Sequence, residues 1–347
     1  MDRHNPEQTR TVKRKRRRKI RKRAFFILIP LIALLGVSIY GGYLYIKADS
    51  VLSDSYEDDG RDKSALRDAQ VDPTEDNVSI LIMGIDENDT RDNAESALTD
   101  ALMLATLNKE DNTVNIVSIP RDSYVHIPEV GYEDKINHAH SFGGTKATVE
   151  TVENLLDIPV DYNVKVNFNG FVEIVDALDG IEVEVPYTFS ESNSTDQGED
   201  IHLVEGEQTL DGEEALALAR TRKLDNDIER GKRQQDIITA MMDKAISVNS
   251  LLNYGDILDA VGDNMSTNLT FGEMKSFISY ATNDNDLDIE THTLKGTDYQ
   301  PGSTYYWQLD QFALGETQSM LKNHLDIAEP TTVEQKESEN ASGSDPY

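Results

Sequence analysis

Two groups of arginines, far apart in a very acidic chain, carry the first chemical signal. Arg121 and Asp122 follow the apolar run Ile116 to Ile119 and Pro120, and Lys135-Ile136-Asn137-His138 comes shortly after, running on to Gly143-Gly144. The second group is Arg220, Arg222, Arg230, Lys232 and Arg233. Guanidinium forks match phosphate oxygens bidentately. Cations and glycines at the ends of buried strands are how open α/β folds meet phosphorylated ligands. Two carboxylates belong to the same picture. Asp86 closes a strand-like run in Gly84-Ile85-Asp86, and Asp100 opens the next in Thr99-Asp100. Such a pair can share a divalent cation, because Mg²⁺ takes one or two carboxylates plus phosphate oxygens and water. Turn or capping roles are the competing reading. A metal beside several arginines is equipment for phosphoryl transfer, in which catalysis is mostly positioning and charge stabilisation.

The spacing in the second group is informative. On a helix, Arg230, Arg233, Gln234 and Ile237 fall at i, i+3, i+4 and i+7 and share a face, which turns apolar further on at Met241 and Ala245. Asp227 stands at the helix start, where its carboxylate caps the helix or reaches into the same site. Arg220 and Arg222 end the preceding helix. Taken singly, each arginine reads equally well as a surface cation among abundant Asp and Glu, a pairing worth little. His138 and His140 have no third His or Cys nearby and read as structural. Ser118 and Ser123 lack a Ser-His-Asp setting, and Gly143-Gly144 reads as a turn into a helix.

The elements that must position these residues alternate between strand and helix. Val78 to Ile85, Ala101 to Leu107 and Thr113 to Ile119 are apolar strands, the last two joined by the polar turn Asn108 to Asn112. A helix is expected over Thr145 to Leu156, a strand over Tyr162 to Phe168, a short helix over Gly170 to Leu178 and a strand over Ile181 to Val185. Residues Pro186 to Asp200 read as a loop or hairpin. Asp211 and Glu214 have the spacing of a capping box opening a helix through Arg220, and Thr270 and Glu273 open another in the same way. A long helix is expected from Ile228 to Ile246, and Asp288 to Leu294 reads as the last strand. The fold class is α/β, a single mixed-sheet domain flanked by helices.

Composition bounds the setting. The 347 residues include no cysteine, so the chain has no disulfides, a habit that suits a bacterium with a single membrane better than a disulfide-forming periplasm. Residues 1–23 form a basic tail, and 24–46 are an uncharged apolar run whose helical length, roughly 34 Å, suffices to cross a bilayer. No small-residue cleavage site follows. The run reads as an uncleaved signal anchor with the basic tail in the cytoplasm, giving a single-pass type II membrane protein. Residues 47–76 read as an extracytoplasmic linker, 77–328 as the extracytoplasmic working domain and 329–347 as a disordered acidic tail. The first 23 residues hold 12 of the 33 Lys and Arg but 2 of the 64 Asp and Glu, leaving 21 cations against 62 anions beyond them. Such a surface excludes non-specific nucleic-acid binding, and an anion site on it must be a local positive island.

At these residues the chain resembles the LytR-CpsA-Psr family, which attaches glycopolymers to the bacterial cell wall, and within it the LytR/TagU type. The resemblance is carried by GID at Gly84 to Asp86, TDALMLATLN at Thr99 to Asn108, SIPRDSYVHIP at Ser118 to Pro128 and KINHAHSFGG at Lys135 to Gly144. LDGEEALALARTR at Leu210 to Arg222 and DNDIERGKRQQ at Asp225 to Gln235 complete it, in order over 78–246. It implies an α/β domain with an apolar pocket for a polyprenyl chain. It also implies transfer of wall teichoic acid, capsular or secondary wall polysaccharide from an undecaprenyl-pyrophosphate carrier to the C6 hydroxyl of N-acetylmuramic acid in peptidoglycan. By the same resemblance Asp86 and Asp100 hold Mg²⁺, or Mn²⁺ in its place. Arg121, Arg220, Arg222, Arg230 and Arg233 bind the pyrophosphate with support from Gln234. Asp227 is the candidate base, and Arg121, Arg220 and Arg230 act with it in catalysis. One departure stands out: Leu98 occupies a position where the family usually has Arg. The alternative reading is a non-catalytic polyprenyl-pyrophosphate binder or a regulatory envelope protein of the transcription-attenuator type.

Overall fold

The computed structural model describes residues 22–85, 97–194, 201–223, 227–246, 254–277 and 287–327. The chain divides into two units, Met1–Ile46 and Lys47–Tyr347. Helix α1 (Lys22–Asp54) contains the apolar run 24–46, several of whose side chains fall outside the described residues. Among the described residues no helix is long and apolar enough to cross a membrane. The basic tail up to residue 21 and the acidic tail lie outside the described residues.

In the second unit the strands are β1 (Val78–Ile85), β2 (Thr99–Asn108), β3 (Thr113–Ser118), β4 (Tyr124–Ile127) and β5 (Tyr132–Lys135), followed by β6 (Tyr162–Asn167), β7 (Ile181–Val185), β8 (Phe189–Glu191), β9 (Ile201–Leu203) and β10 (Gly206–Leu210), then β11 (Met265–Thr267), β12 (Asp288–Thr293), β13 (Gly296–Tyr299) and β14 (Tyr306–Leu309). The helices are α2 (His138–Leu156), α3 (Phe168–Ala177), α4 (Gly212–Arg220), α5 (Asp227–Ile246), α6 (Tyr254–Asn264), α7 (Phe271–Ser276) and α8 (Gln311–His324). Six strands form the central sheet in the order β11-β6-β1-β2-β3-β12. β1 runs parallel to β6 and antiparallel to β2, β3 is antiparallel to β2, and β12 is parallel to β3. The C-terminal ends of β1, β3, β6 and β12 therefore lie along one edge of the sheet.

The near-continuous apolar character of β1 to β3 follows from burial on both faces. Leu81, Met83, Leu102, Leu104 and Val117 point into a core with α2 and α8, while Val78, Met103, Ala105, Val114 and Ile116 point the other way. A further apolar cluster joins α3, α4 and α5 to β7 and β10. Both expected capping boxes form, Asp211 with Glu214 and Thr270 with Glu273. Helix α2 breaks at Gly143 and Gly144, as the turn reading requires.

The structure goes beyond the sequence reading: β4, β5, β10, α6 and β11 had no expected counterpart, and α2 begins at His138 rather than Thr145. Asp288–Thr293 is not the last strand, since the β13–β14 hairpin and α8 follow it. Much of the stretch read as linker is bonded to the domain. Tyr56 bridges Thr267, and Arg61 pairs with Asp59 at 2.8 Å and Glu153 at 3.4 Å. Arg67 closes a two-pronged pair on Asp161 at 2.9 and 2.7 Å. The Arg61 and Arg67 attachments use charges rather than apolar periodicity, so no hydrophobic pattern announces them.

Candidate active site

Local backbone features place one carboxylate and one arginine side by side. Along the β1–β2 ladder Gly84 faces Ala101 but Ile85 faces Thr99, so Asp100 is the extra residue of a β-bulge. Bulges re-aim side chains, and Asp100 lines a cavity at this edge of the sheet. Ile85, the residue before Asp86, is thus the register partner of the residue before Asp100; Asp86 itself lies outside the described residues. Arg121 follows β3 through a turn pinned by Ser123 N–H donating to the Pro120 carbonyl at 3.0 Å. Its guanidinium donates to the Asp100 carboxylate and stands 3.9 Å from that of Asp122, which also accepts from Lys135 Nζ at 2.6 Å.

The opposite wall comes from α4 and α5. A helix ends in carbonyls without intrahelical partners, and side chains of α5 serve those of α4. Arg233 Nε donates to the Leu218 carbonyl at 3.1 Å and its Nη2 to that of Thr221, while Gln234 Nε2 donates to the Ala219 carbonyl at 3.2 Å. A cation at a helix C-terminus also suits the dipole. This cross-capping fixes the end of α4, from which Arg220 and Arg222 project. Arg220 lies over the Phe168 ring, 5.3 Å from its centroid, at the start of α3. That start is itself fixed by Asn167, whose side chain accepts from Gly170 N–H. Helix α5 approaches β3 closely at Gly231, where a Cβ would come within 2.9 Å of Ser118 Oγ. Gly231 eases this approach, and the neighbouring Arg230 is buried and lines the cavity.

The cavity has a volume of about 630 Å³. Its interior is apolar, with Ile82, Met103 and Val166 from the sheet, Phe171 and Ile174 from α3, Leu216 from α4, and Ile237, Ile238 and Met241 from α5. Its polar lining includes Arg121, Arg220, Arg222, Lys223, Arg230 and Gln234, with Asp100 and Glu191 as the acids. Five cations against two carboxylates make the local positive island that the acidic surface demands. On α5, Asp236 is held above the usual carboxylate range by burial, against the pull of Arg233 and Lys232. It does not line the cavity.

Arg121, Arg220, Arg222, Arg230, Gln234 and Asp100 are therefore brought together. Arg233 is not among the lining residues. The helical spacing put it on the same face as Arg230, but it is buried and turned to the end of α4, with Tyr187 beside it. Asp227 begins α5, and its side chain lies outside the described residues. His138 pairs with Asp134 at 2.8 Å and buried His140 meets the Ala97 carbonyl at 3.0 Å, so both serve structure. Among the described residues no group of three or more His, Cys, Asp or Glu is placed to hold a metal. Leu98 is exposed and outside the lining. Sequence reasoning missed Asn167, Phe168, Glu191 and Lys223. Phe168 follows directly on the C-terminal end of β6, where ligands of open sheets gather, and that position was the available signal.

A mixed sheet with a cavity lined by apolar side chains and arginines at one edge thus defines the site. The profile of the LytR_cpsA_psr family matches residues 42–323, and the chain belongs to this family. Among its relatives is the polyisoprenyl-teichoic acid–peptidoglycan teichoic acid transferase TagU of Bacillus subtilis (strain 168), 40% identical over 318 residues, which cover 90% of this chain and 99% of that protein. The transferase TagT of the same organism is 37% identical over 324 residues, covering 92% and 99%. The structure of the LytR-CPS2A-psr family protein YwtF (TagT) with bound octaprenyl pyrophosphate lipid superposes with a TM-score of 0.60 at 35% identity, covering 78% of this chain and 98% of that one.

Proposed function

We propose that this protein is a phosphotransferase that moves an anionic glycopolymer from an undecaprenyl-pyrophosphate carrier to the C6 hydroxyl of N-acetylmuramic acid in peptidoglycan. The observation that carries the reading is the two-part cavity, apolar within and cationic at its arginines. A polyprenyl tail fits the first part and a pyrophosphate the second. Relatives named as transferases of teichoic acid to peptidoglycan, and a relative holding a polyprenyl pyrophosphate, support it.

In this reading Arg121, Arg220, Arg222 and Arg230 grip the pyrophosphate oxygens and take up charge as the bond between the two phosphates breaks. The acceptor hydroxyl oxygen attacks the phosphorus that bears the glycopolymer. Polyprenyl phosphate leaves with the bridging oxygen, a phosphodiester forms, and the hydroxyl proton passes to a base, for which Asp227 at the start of α5 is the candidate. Gln234 and Arg233 hold the end of α4 and so aim Arg220 and Arg222. Asp86 and Asp100 are the residues that would hold Mg²⁺, or Mn²⁺. The fit rests on Asp100, which a bulge turns to the cavity while leaving it part-exposed beside Arg121. The ion would supply neutralisation of phosphate charge.

The test uses the full chain in detergent with a lipid-pyrophosphate-linked disaccharide, a peptidoglycan oligomer and Mg²⁺, with the phosphodiester product read by mass spectrometry. Product that is lost with EDTA and with Asp100→Ala is expected; polyprenyl-pyrophosphate binding without product overturns the transferase reading in favour of the inactive binder. The proposal includes the setting: residues 24–46 as a signal anchor, the basic tail in the cytoplasm and the domain outside. Because the chain has no cysteine, Ser344→Cys provides a single label, expected to react with an impermeant maleimide on intact cells. Labelling only after lysis would refute this topology.

A further inference from the structure

Outside the cavity, beyond Arg121, two hairpins meet. Ser123 bridges Trp307, and Trp307 N–H donates to the Asp122 carbonyl at 2.8 Å, which joins β14 to the turn that carries Arg121. Three tyrosines gather there. The Tyr124 ring lies 4.7 Å from Tyr306 and 5.6 Å from Tyr299, and the last two are 6.4 Å apart. Lys135 Nζ stands 5.9 Å from the Tyr306 ring centre while bonded to Asp122, the neighbour of Arg121. Tyr299 and Tyr306 are register partners, so part of their role is cross-strand packing. Packing alone does not require the remaining features. Tyr299 stays 36% exposed at the rim of the group. The surroundings are acidic, with Glu133 bonded to Tyr124 and Asp298 to Tyr305. A continuous line of charged contacts connects the group to the cation beside the cavity.

We infer that this tyrosine shelf is a saccharide subsite for the acceptor glycan; the inference rests on the transferase reading. The donor's tail fills the cavity from within, so the acceptor hydroxyl has to arrive from outside, past Arg121. A hexosamine ring offers an apolar C–H face that stacks on an aromatic ring, and hydroxyl and amide groups that bond to phenol, ammonium and carboxylate. The nearby acids repel a polyanion such as the donor polymer and leave a β-linked N-acetylhexosamine strand as the occupant.

The chain supplies its own reporter, since Trp307 is its only tryptophan and stands next to Tyr306. The emission of the full chain in detergent is titrated with an uncharged β-1,4-linked N-acetylglucosamine tetrasaccharide. A saturable change is expected, and Tyr299→Leu, which keeps apolar bulk in the hairpin, weakens it roughly tenfold with an unshifted melting temperature. In parallel, octaprenyl pyrophosphate is titrated calorimetrically. Octaprenyl pyrophosphate binding without any response to the glycan overturns the subsite and leaves the transferase reading standing. Glycan binding without octaprenyl pyrophosphate binding does the reverse. Equal glycan affinity in wild type and Tyr299→Leu, or displacement by soluble poly(glycerol phosphate), also overturns the subsite.

Discussion

Both ends of the central sheet carry an arginine–carboxylate pair, and they are built differently. At the N-terminal ends of β1 and β6, Arg67 grips Asp161 with two nitrogens, and Asp161 also accepts from Ser79 N–H at 3.0 Å and Ser79 Oγ at 3.1 Å. The Asp161 side chain is 2% exposed, with Arg67 on both of its oxygens. At the C-terminal ends, Arg121 meets Asp100 through one nitrogen, Asp100 is 29% exposed, and both face the cavity. A two-pronged, buried pair holds segments together. A part-exposed pair lining a cavity can be reached by a ligand. The same two residue types thus hold segments together at one end and line a cavity at the other.

The largest effect that would break this contrast concerns Arg121→Ala. Product formation is expected to fall about a thousandfold, equivalent to about 4 kcal/mol of transition-state stabilisation, with little change in melting temperature. Parallel losses of fold and turnover would show the pair to be structural after all. Next comes Arg67→Ala, which strands the Asp161 carboxylate in the interior. Denaturant unfolding is expected to register a loss of about 3 kcal/mol, while turnover per folded molecule holds steady; an unchanged midpoint would mean that the pair contributes nothing.

The smallest effect sharpens the picture of the adhesive end. The His324 ring is placed between Thr106 Oγ1 and Thr113 Oγ1, each at 2.8 Å, and burial lowers its pKa against the pull of Asp111, Asp326 and Glu290. A folded-state value below the unfolded one means that the unfolded chain takes up the proton first. Stability from this group is therefore intact above the ordinary imidazole range, near 6.5, and is lost as pH falls from there to the folded value. His324→Gln should flatten that part of the stability–pH curve, and an identical slope in the variant would exclude the histidine as its source.

The sequence displayed the chemical end of the molecule more openly than the adhesive one. Apolar runs marked β1 to β3, and fixed spacings marked both capping boxes and the face of α5 that carries Arg230, Gln234, Ile237 and Met241. The adhesive contacts join residues such as Arg67 and Asp161, 94 positions apart, and no local pattern encodes a pair of that separation. The β13–β14 hairpin escaped because its strands are only four residues each, too short to show an alternation. Arg233 was misplaced because helical periodicity gives the face of a residue but not whether a neighbouring helix ends there. Phe171 and Ile174 could not be told from core, since an apolar side chain lining a cavity and one filling a core look alike in sequence.

The apolar lining of the cavity has a thermodynamic consequence. Side chains such as Ile82 and Met103 of the sheet and Ile237 of α5 border this space, where they lack the dispersion contacts of a close-packed interior. A chain that enters this space restores them and binds the folded state alone, so it raises the unfolding free energy by mass action, about 2.7 kcal/mol at a hundred times its dissociation constant. A ligand of this kind would therefore raise the melting temperature in step with its concentration.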